Sequence, residues 1–143
     1  MAVVNPYLNF SGNTEEAFHF YRSVFGGEFV MVMRFKDAGM DQLPEADQSK
    51  IMHISLPIGT NTILMGTDAL ESAGHKVTPG DNFSLAIGTA SKEEADTFFA
   101  ALSAGGNPTS PMKDEFWGAY FGMVTDKFGI QWMVSYDPKH LPA

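Results

Sequence analysis

A chain of 143 residues with 44% hydrophobic and 18% charged residues can bury a sizeable core and is too apolar to be disordered. Nine Lys and Arg against 17 Asp and Glu give a net charge of −8 without a basic stripe, which argues against nucleic acid as a partner. The absence of cysteine excludes disulfides, thiolate catalysis and cysteine-ligated metal centres, and fits a reducing cytoplasm.

In chain order, Val3 to Phe10 alternates between faces and predicts a strand with Pro6 near its start. A helix is predicted from about Thr14 to Phe25, opened by Asn13 and Glu16 at capping-box spacing and closed by Gly26-Gly27. Glu28 to Phe35 is rich in β-formers and predicts a second strand, and the polar, acidic stretch Lys36 to Ser49 predicts a mobile loop. Lys50 to Pro57 and Thr62 to Gly66 predict a hairpin turning at Ile58-Gly59-Thr60-Asn61. Thr67 to Asn82 then reads as a connection. The pattern starts again with a strand at Phe83 to Thr89 and a helix at Lys92 to Ala104, capped by Ser91 and Glu94. A very short strand near Asn107 to Met112 follows, then strands at Trp117 to Thr125 and Gln131 to Tyr136 joined at Asp126-Lys127-Phe128-Gly129.

The two predicted helices nearly repeat one another: Thr14-Glu15-Glu16-Ala17-Phe18-His19-Phe20-Tyr21 aligns with Lys92-Glu93-Glu94-Ala95-Asp96-Thr97-Phe98-Phe99. Either two amphipathic helices converged, or a supersecondary unit is duplicated. Duplication gives an α+β fold of paired βαβββ modules: a first half over about 1–66, a connection over 67–82 and a second half over 83–136, within one domain of 143 residues. Strands with one helix per half predict a curved mixed sheet with helices on the convex side and a concave ligand cleft opposite.

Several phrases carry a resemblance across the chain: Asn5-Pro6-Tyr7-Leu8-Asn9-Phe10, Phe25-Gly26-Gly27-Glu28, Met52-His53 and Leu64-Met65-Gly66-Thr67-Asp68. The most specific are Phe116-Trp117-Gly118 and Asp126-Lys127-Phe128-Gly129-Ile130-Gln131-Trp132. In these the chain resembles the PhnB-like branch of the vicinal-oxygen-chelate superfamily, which includes glyoxalase I and the bleomycin-resistance proteins. The resemblance implies paired βαβββ modules, a homodimer, and a site in the concave face. It also implies where metal-dependent members keep His and Glu ligands, and those places fall on Asn5, Met65, Ser84 and Met133. An amide, a hydroxyl and two thioethers make a poor cage for a divalent ion, so neither a metal nor another cofactor is expected. Members of this branch are often labelled demethylubiquinone methyltransferases, but Gly26-Gly27 ends a predicted helix and does not open one over a cofactor.

The ligand-facing residues expected from alternation and resemblance are Asn5, Tyr7, His53, Met65, Asp68, Ser84, Trp117, Gln131 and Met133. His53 is the candidate general base, or else a half-buried histidine satisfied by a backbone group or by Tyr7. Asp68 either aims at the cleft or caps a turn, and Phe116 and Trp117 either cover a ligand or anchor a dimer. Trp132 is expected on the core side and Met133 on the cavity side. The expected function is a metal-free small-molecule binding protein, homodimeric and cytoplasmic, with no signal peptide, membrane segment or nucleic-acid partner. The alternatives are a proton-transfer, lyase or isomerase enzyme using His53, and a metal-dependent relative whose site uses other residues.

Overall fold

The capping signals bracket the two long helices, α1 at Thr14–Phe25 and α3 at Lys92–Ser103, in a computed structural model that describes residues 1–143. The strands are β1 (Tyr7–Phe10), β2 (Met31–Arg34), β3 (Ile51–Ile58), β4 (Thr62–Asp68), β5 (Leu85–Gly88), β6 (Asn107–Asp114), β7 (Tyr120–Thr125) and β8 (Gln131–Tyr136). A single helical turn, α2, spans Glu45–Gln48. Apart from this turn between β2 and β3, the order βαβββ occurs twice, in an α+β fold. The strands form two four-stranded mixed sheets, ordered β1-β4-β3-β2 and β5-β8-β7-β6. Within each sheet the first and last strands of the module run parallel and the other pairs antiparallel.

The chain divides into two compact units, Met1–Thr78 and Pro79–Ala143. In the first, α1 packs on β3 and β4. Its buried side chains Phe18 and Tyr21 meet edge to face with ring centroids 5.6 Å apart, over Leu8, Ile54, Leu56 and Leu64. Full burial of side chains this size contributes about 1.5–3 kcal/mol each. Gly66 permits the close approach, because a Cβ there would lie 2.6 Å from Phe18 Cε1. Arg34, at the end of β2, clasps Glu15 of α1 through two bonds of 3.0 and 2.7 Å. That guanidinium holds the Glu15 carboxyl below its ordinary range. In the second unit, α3 packs on β6, β7 and β8, burying Ala95, Leu102, Val124, Trp132 and Val134.

The helix starts differ from expectation in one case. At α3, Ser91 accepts the Glu94 N–H at 3.1 Å, and the Glu94 carboxylate accepts the Ala90 N–H, one residue before the cap. At α1 the Asn13 side chain makes no capping bond. Asp68, arriving from β4, takes its place, because a carboxylate at a helix N-terminus satisfies orphan donors and meets the positive end of the dipole.

Strand lengths differ too. β1 begins at Tyr7 and not Val3, β2 is confined to Met31–Arg34, and β4 runs on to Asp68. The strand expected to be very short, β6, has eight residues. Pro108 and Pro111 lack ladder donors, and they are tolerated because β6 is an edge strand with register shifts at Pro108/Ser110 and Ser110/Lys113. The stretch expected to be a mobile loop carries local structure: a 3-10 turn at Phe35–Ala38, then α2. There Gln48 donates to the carbonyls of Asp41 and Leu43, and buried Asp47 accepts from Lys50 at 2.8 Å and from the Ser72 hydroxyl.

The phrase Asp126-Lys127-Phe128-Gly129-Ile130-Gln131-Trp132 has a structural explanation. Asp126 accepts the N–H groups of Phe128 and Ile130 at 2.8 and 3.1 Å and the Trp132 indole N–H at 2.8 Å, closing the β7–β8 turn. No helix is long and apolar enough to cross a membrane.

Candidate functional site

Alternation sorts the first sheet's side chains onto two faces. Leu8, Leu64, Ile54 and Leu56 are buried on the α1 side. The helix-free face is organised by register: Tyr7 lies opposite Met65, Met65 opposite Ser55, and Ser55 opposite Met31, forming one row across four strands. Beside it, Asn9 lies opposite Thr67, and His53 opposite Met33. Tyr7 and Met31 keep 45% exposure each and Ile63 keeps 37%, so this face offers apolar surface as well as polar groups.

His53 links two hydroxyls. Tyr7 Oη is 3.2 Å from its Nδ1, with the two rings tilted at 51°, and Ser55 Oγ is 2.7 Å from its Nε2. The bonding pattern admits two proton positions. With the proton on Nδ1, Ser55 donates to Nε2, the imidazole donates to Tyr7, and the phenolic O–H is free to donate outward. With the proton on Nε2, Tyr7 donates to Nδ1, the imidazole donates to Ser55, and the serine O–H is left over. Either tautomer leaves one spare donor in the chain, and only the first sets it at the exposed end. Methionines flank the chain, giving it a soft, adaptable border.

Of the expected residues in this unit, Tyr7, His53 and Met65 share the helix-free face. Asn5 precedes β1, and its side-chain carbonyl accepts the Ile63 N–H at 3.0 Å. Asp68 points the other way: it is buried, and its oxygens accept the Thr14 N–H, the Thr14 hydroxyl and the Ile51 N–H at 3.1, 2.6 and 2.8 Å.

In the second unit, Met133 lies opposite both Ala86 and Met123, while Trp132 is buried on the α3 side. Gln131 donates to the carbonyls of Gly80 and Phe83, and half-buried Ser84 precedes β5. Trp117 is 53% exposed in the β6–β7 turn, stacked edge-on against Phe116 and Phe121. Thr67 completes the first unit's face without standing among the expected ligand residues. Thr67 was signalled by alternation two places beyond Met65 and was obscured by ending that strand at Gly66.

The donor chemistry does not fit a divalent ion. Asn5 spends its carbonyl on Ile63, Met65 and Met133 offer thioethers, and no three His, Asp or Glu side chains converge as a cage.

The profile of a family described as 3-demethylubiquinone-9 3-methyltransferase matches residues 2–135 of the chain. Protein PA1353 from Pseudomonas aeruginosa has a similar crystal structure, with TM-score 0.83 and 35% identity, covering 96% of this chain and 98% of its own. The PhnB protein from Bacillus cereus superposes with TM-score 0.75 at 26% identity, covering 93% and 98%. A glyoxalase-related enzyme from Fulvimarina pelagi shares the fold, with TM-score 0.63 at 22% identity over 96% of this chain and 88% of that one.

Proposed function

Because the chain belongs to the PhnB-like branch of the vicinal-oxygen-chelate superfamily, within the family described as 3-demethylubiquinone-9 3-methyltransferase, we propose that it is a small-molecule binding protein whose ligand rests on the helix-free face of the first unit. The observation that carries this reading is the Tyr7–His53–Ser55 chain among exposed apolar side chains. Such a surface suits a ligand with an apolar body and an oxygen acceptor: the body covers Met65, Ile63 and Met31, and the acceptor takes the Tyr7 hydroxyl. The reading needs no metal, in keeping with the donor chemistry at Asn5, Met65, Ser84 and Met133. It does not adopt methyl transfer from the family's description, since Gly26 closes α1 instead of opening a cofactor loop.

The short Ser55–His53 bond favours one second reading, an enzyme in which His53 relays a proton. It ranks lower because the partners of His53 are two neutral hydroxyls, with no carboxylate bonded to it to stabilise the imidazolium that a relay must form. A thermal-shift panel of small oxygenated aromatics separates the two readings. A binder gains stability with the logarithm of one plus ligand concentration over Kd, and Tyr7→Phe weakens that response without turnover appearing in the wild type. No stabilisation across the panel would overturn the binding reading, and turnover abolished by His53→Ala would establish the second.

A further inference from the structure

We propose that a second site, a cavity at the C-terminal ends of β1 and β4, binds a small organic carboxylate through Lys76. The cavity has a volume of about 610 Å³, within the range of roughly 300–1,000 Å³ usual for small-molecule sites. Phe35 and Val77 supply apolar wall, while Asn9, Thr67 and Thr78 supply polar groups and Lys76 a cation. None of Tyr7, His53 and Ser55 lines it, so the proposal does not rest on the function proposed above.

The charge pattern identifies the ligand. Arg22, Arg34, Lys50, Lys92 and Lys113 are each tied to a carboxylate, whereas Lys76, like Lys36 and Lys139, makes no ion pair, and of these three only Lys76 lines the cavity. In a chain of net charge −8, an ammonium left at a cavity rim calls for an anion from outside. Asp68 also borders the cavity, but its oxygens accept three protein donors at the positive end of α1, so its charge is answered from within. The rim segment is held in place: the His75 N–H donates to the Leu70 carbonyl at 3.0 Å, behind a 3-10 turn at Glu71–Ala73. Amide and hydroxyl groups can bond the carboxylate oxygens beside the ammonium, and the apolar wall accepts a flat or branched body.

The test titrates the full-length, ¹⁵N-labelled protein with benzoate and with benzamide, its neutral isostere, at constant ionic strength. Benzoate is expected to shift the amides of Asn9, Thr67, Val77 and Thr78 saturably, and benzamide to bind at least about tenfold more weakly. Lys76→Gln, at an exposed position, should leave the melting temperature unchanged and bring the two affinities together, and Lys76→Arg should restore the preference. Tyr7→Phe should leave the benzoate titration untouched, so this cavity and the Tyr7–His53–Ser55 chain are scored separately. Absence of saturable shifts at those amides, equal binding of the two probes, or a preference that survives Lys76→Gln would overturn the proposal. Loss of benzoate binding in Tyr7→Phe would overturn it as well, by moving the ligand to the Tyr7–His53–Ser55 chain.

Discussion

Thr14 and Asp68, the first residue of α1 and the last of β4, are joined twice: one carboxylate oxygen accepts both the Thr14 N–H at 3.1 Å and its hydroxyl at 2.6 Å. The second oxygen accepts the Ile51 N–H at 2.8 Å, so a single side chain ties the helix start to two strands. Replacement by Ala leaves buried donors without an acceptor. Asp68→Ala should cost about 2–4 kcal/mol, and Asp68→Asn less, because its amide oxygen can still serve Thr14. Urea unfolding measures both, and a loss below about 1 kcal/mol for Asp68→Ala would contradict the clamp.

Gly66 offers a packing test of the same sheet. A Cβ there meets Phe18 Cε1 at 2.6 Å and Leu8 O at 3.3 Å, and Phe18 is fully buried with nowhere to retreat. Gly66→Ala should destabilise by about 1–3 kcal/mol through overpacking. The double variant Gly66→Ala/Phe18→Leu should lose less than the sum of its parts, measured by the same unfolding curves.

The Glu15–Arg34 pair predicts a pH dependence. Arg34 lowers the Glu15 pKa from its ordinary 4.5, so the pair's stabilisation is complete above that value and is lost as pH falls through the depressed one. Because both side chains are partly exposed, at 44% and 28%, solvent screening limits the contribution to about 0.5 kcal/mol. The melting temperature of Glu15→Gln should therefore sit slightly below wild type at neutral pH and converge with it under acid conditions. A gap that widens toward low pH would reverse the assignment.

On the helix-free face, Tyr7→Phe and His53→Ala should leave the fold intact, because Tyr7 is 45% exposed and His53 is not among the buried residues. Both should weaken an oxygen-bearing aromatic ligand, by about 1 kcal/mol for the lost phenolic hydrogen bond. Calorimetric titration checks this, and unchanged affinity in both variants would remove the Tyr7–His53–Ser55 chain from the site.

We propose self-association through the β6–β7 turn, where Phe116 is 97% and Trp117 53% exposed. Sedimentation equilibrium should give twice the chain mass of 15.6 kDa for the wild type and a weaker dimer for Phe116→Ser/Trp117→Ser. A wild-type monomer at all concentrations would refute it.

What could be read from the sequence rests on short-range regularities. Helix periodicity and the Ser91–Glu94 cap placed α3, and period-two alternation put Tyr7, His53 and Met65 on one face and Trp132 on the other side from Met133. Each depends on residues within a few positions of one another, where backbone geometry alone decides. The tertiary structure decided the rest, through partners distant in the chain. Asn13 looked like the cap of α1, but Asp68 reaches that helix across 54 positions. His53 could have faced a backbone group or Tyr7, and only folding set the phenol 3.2 Å away. β6 looked too short because its prolines forfeit ladder donors, a loss that matters little at a sheet edge, and edge position is a property of the sheet. The cavity beside Lys76 was invisible for the same reason: it exists only where β1, β4 and the segment after the 3-10 turn meet in space.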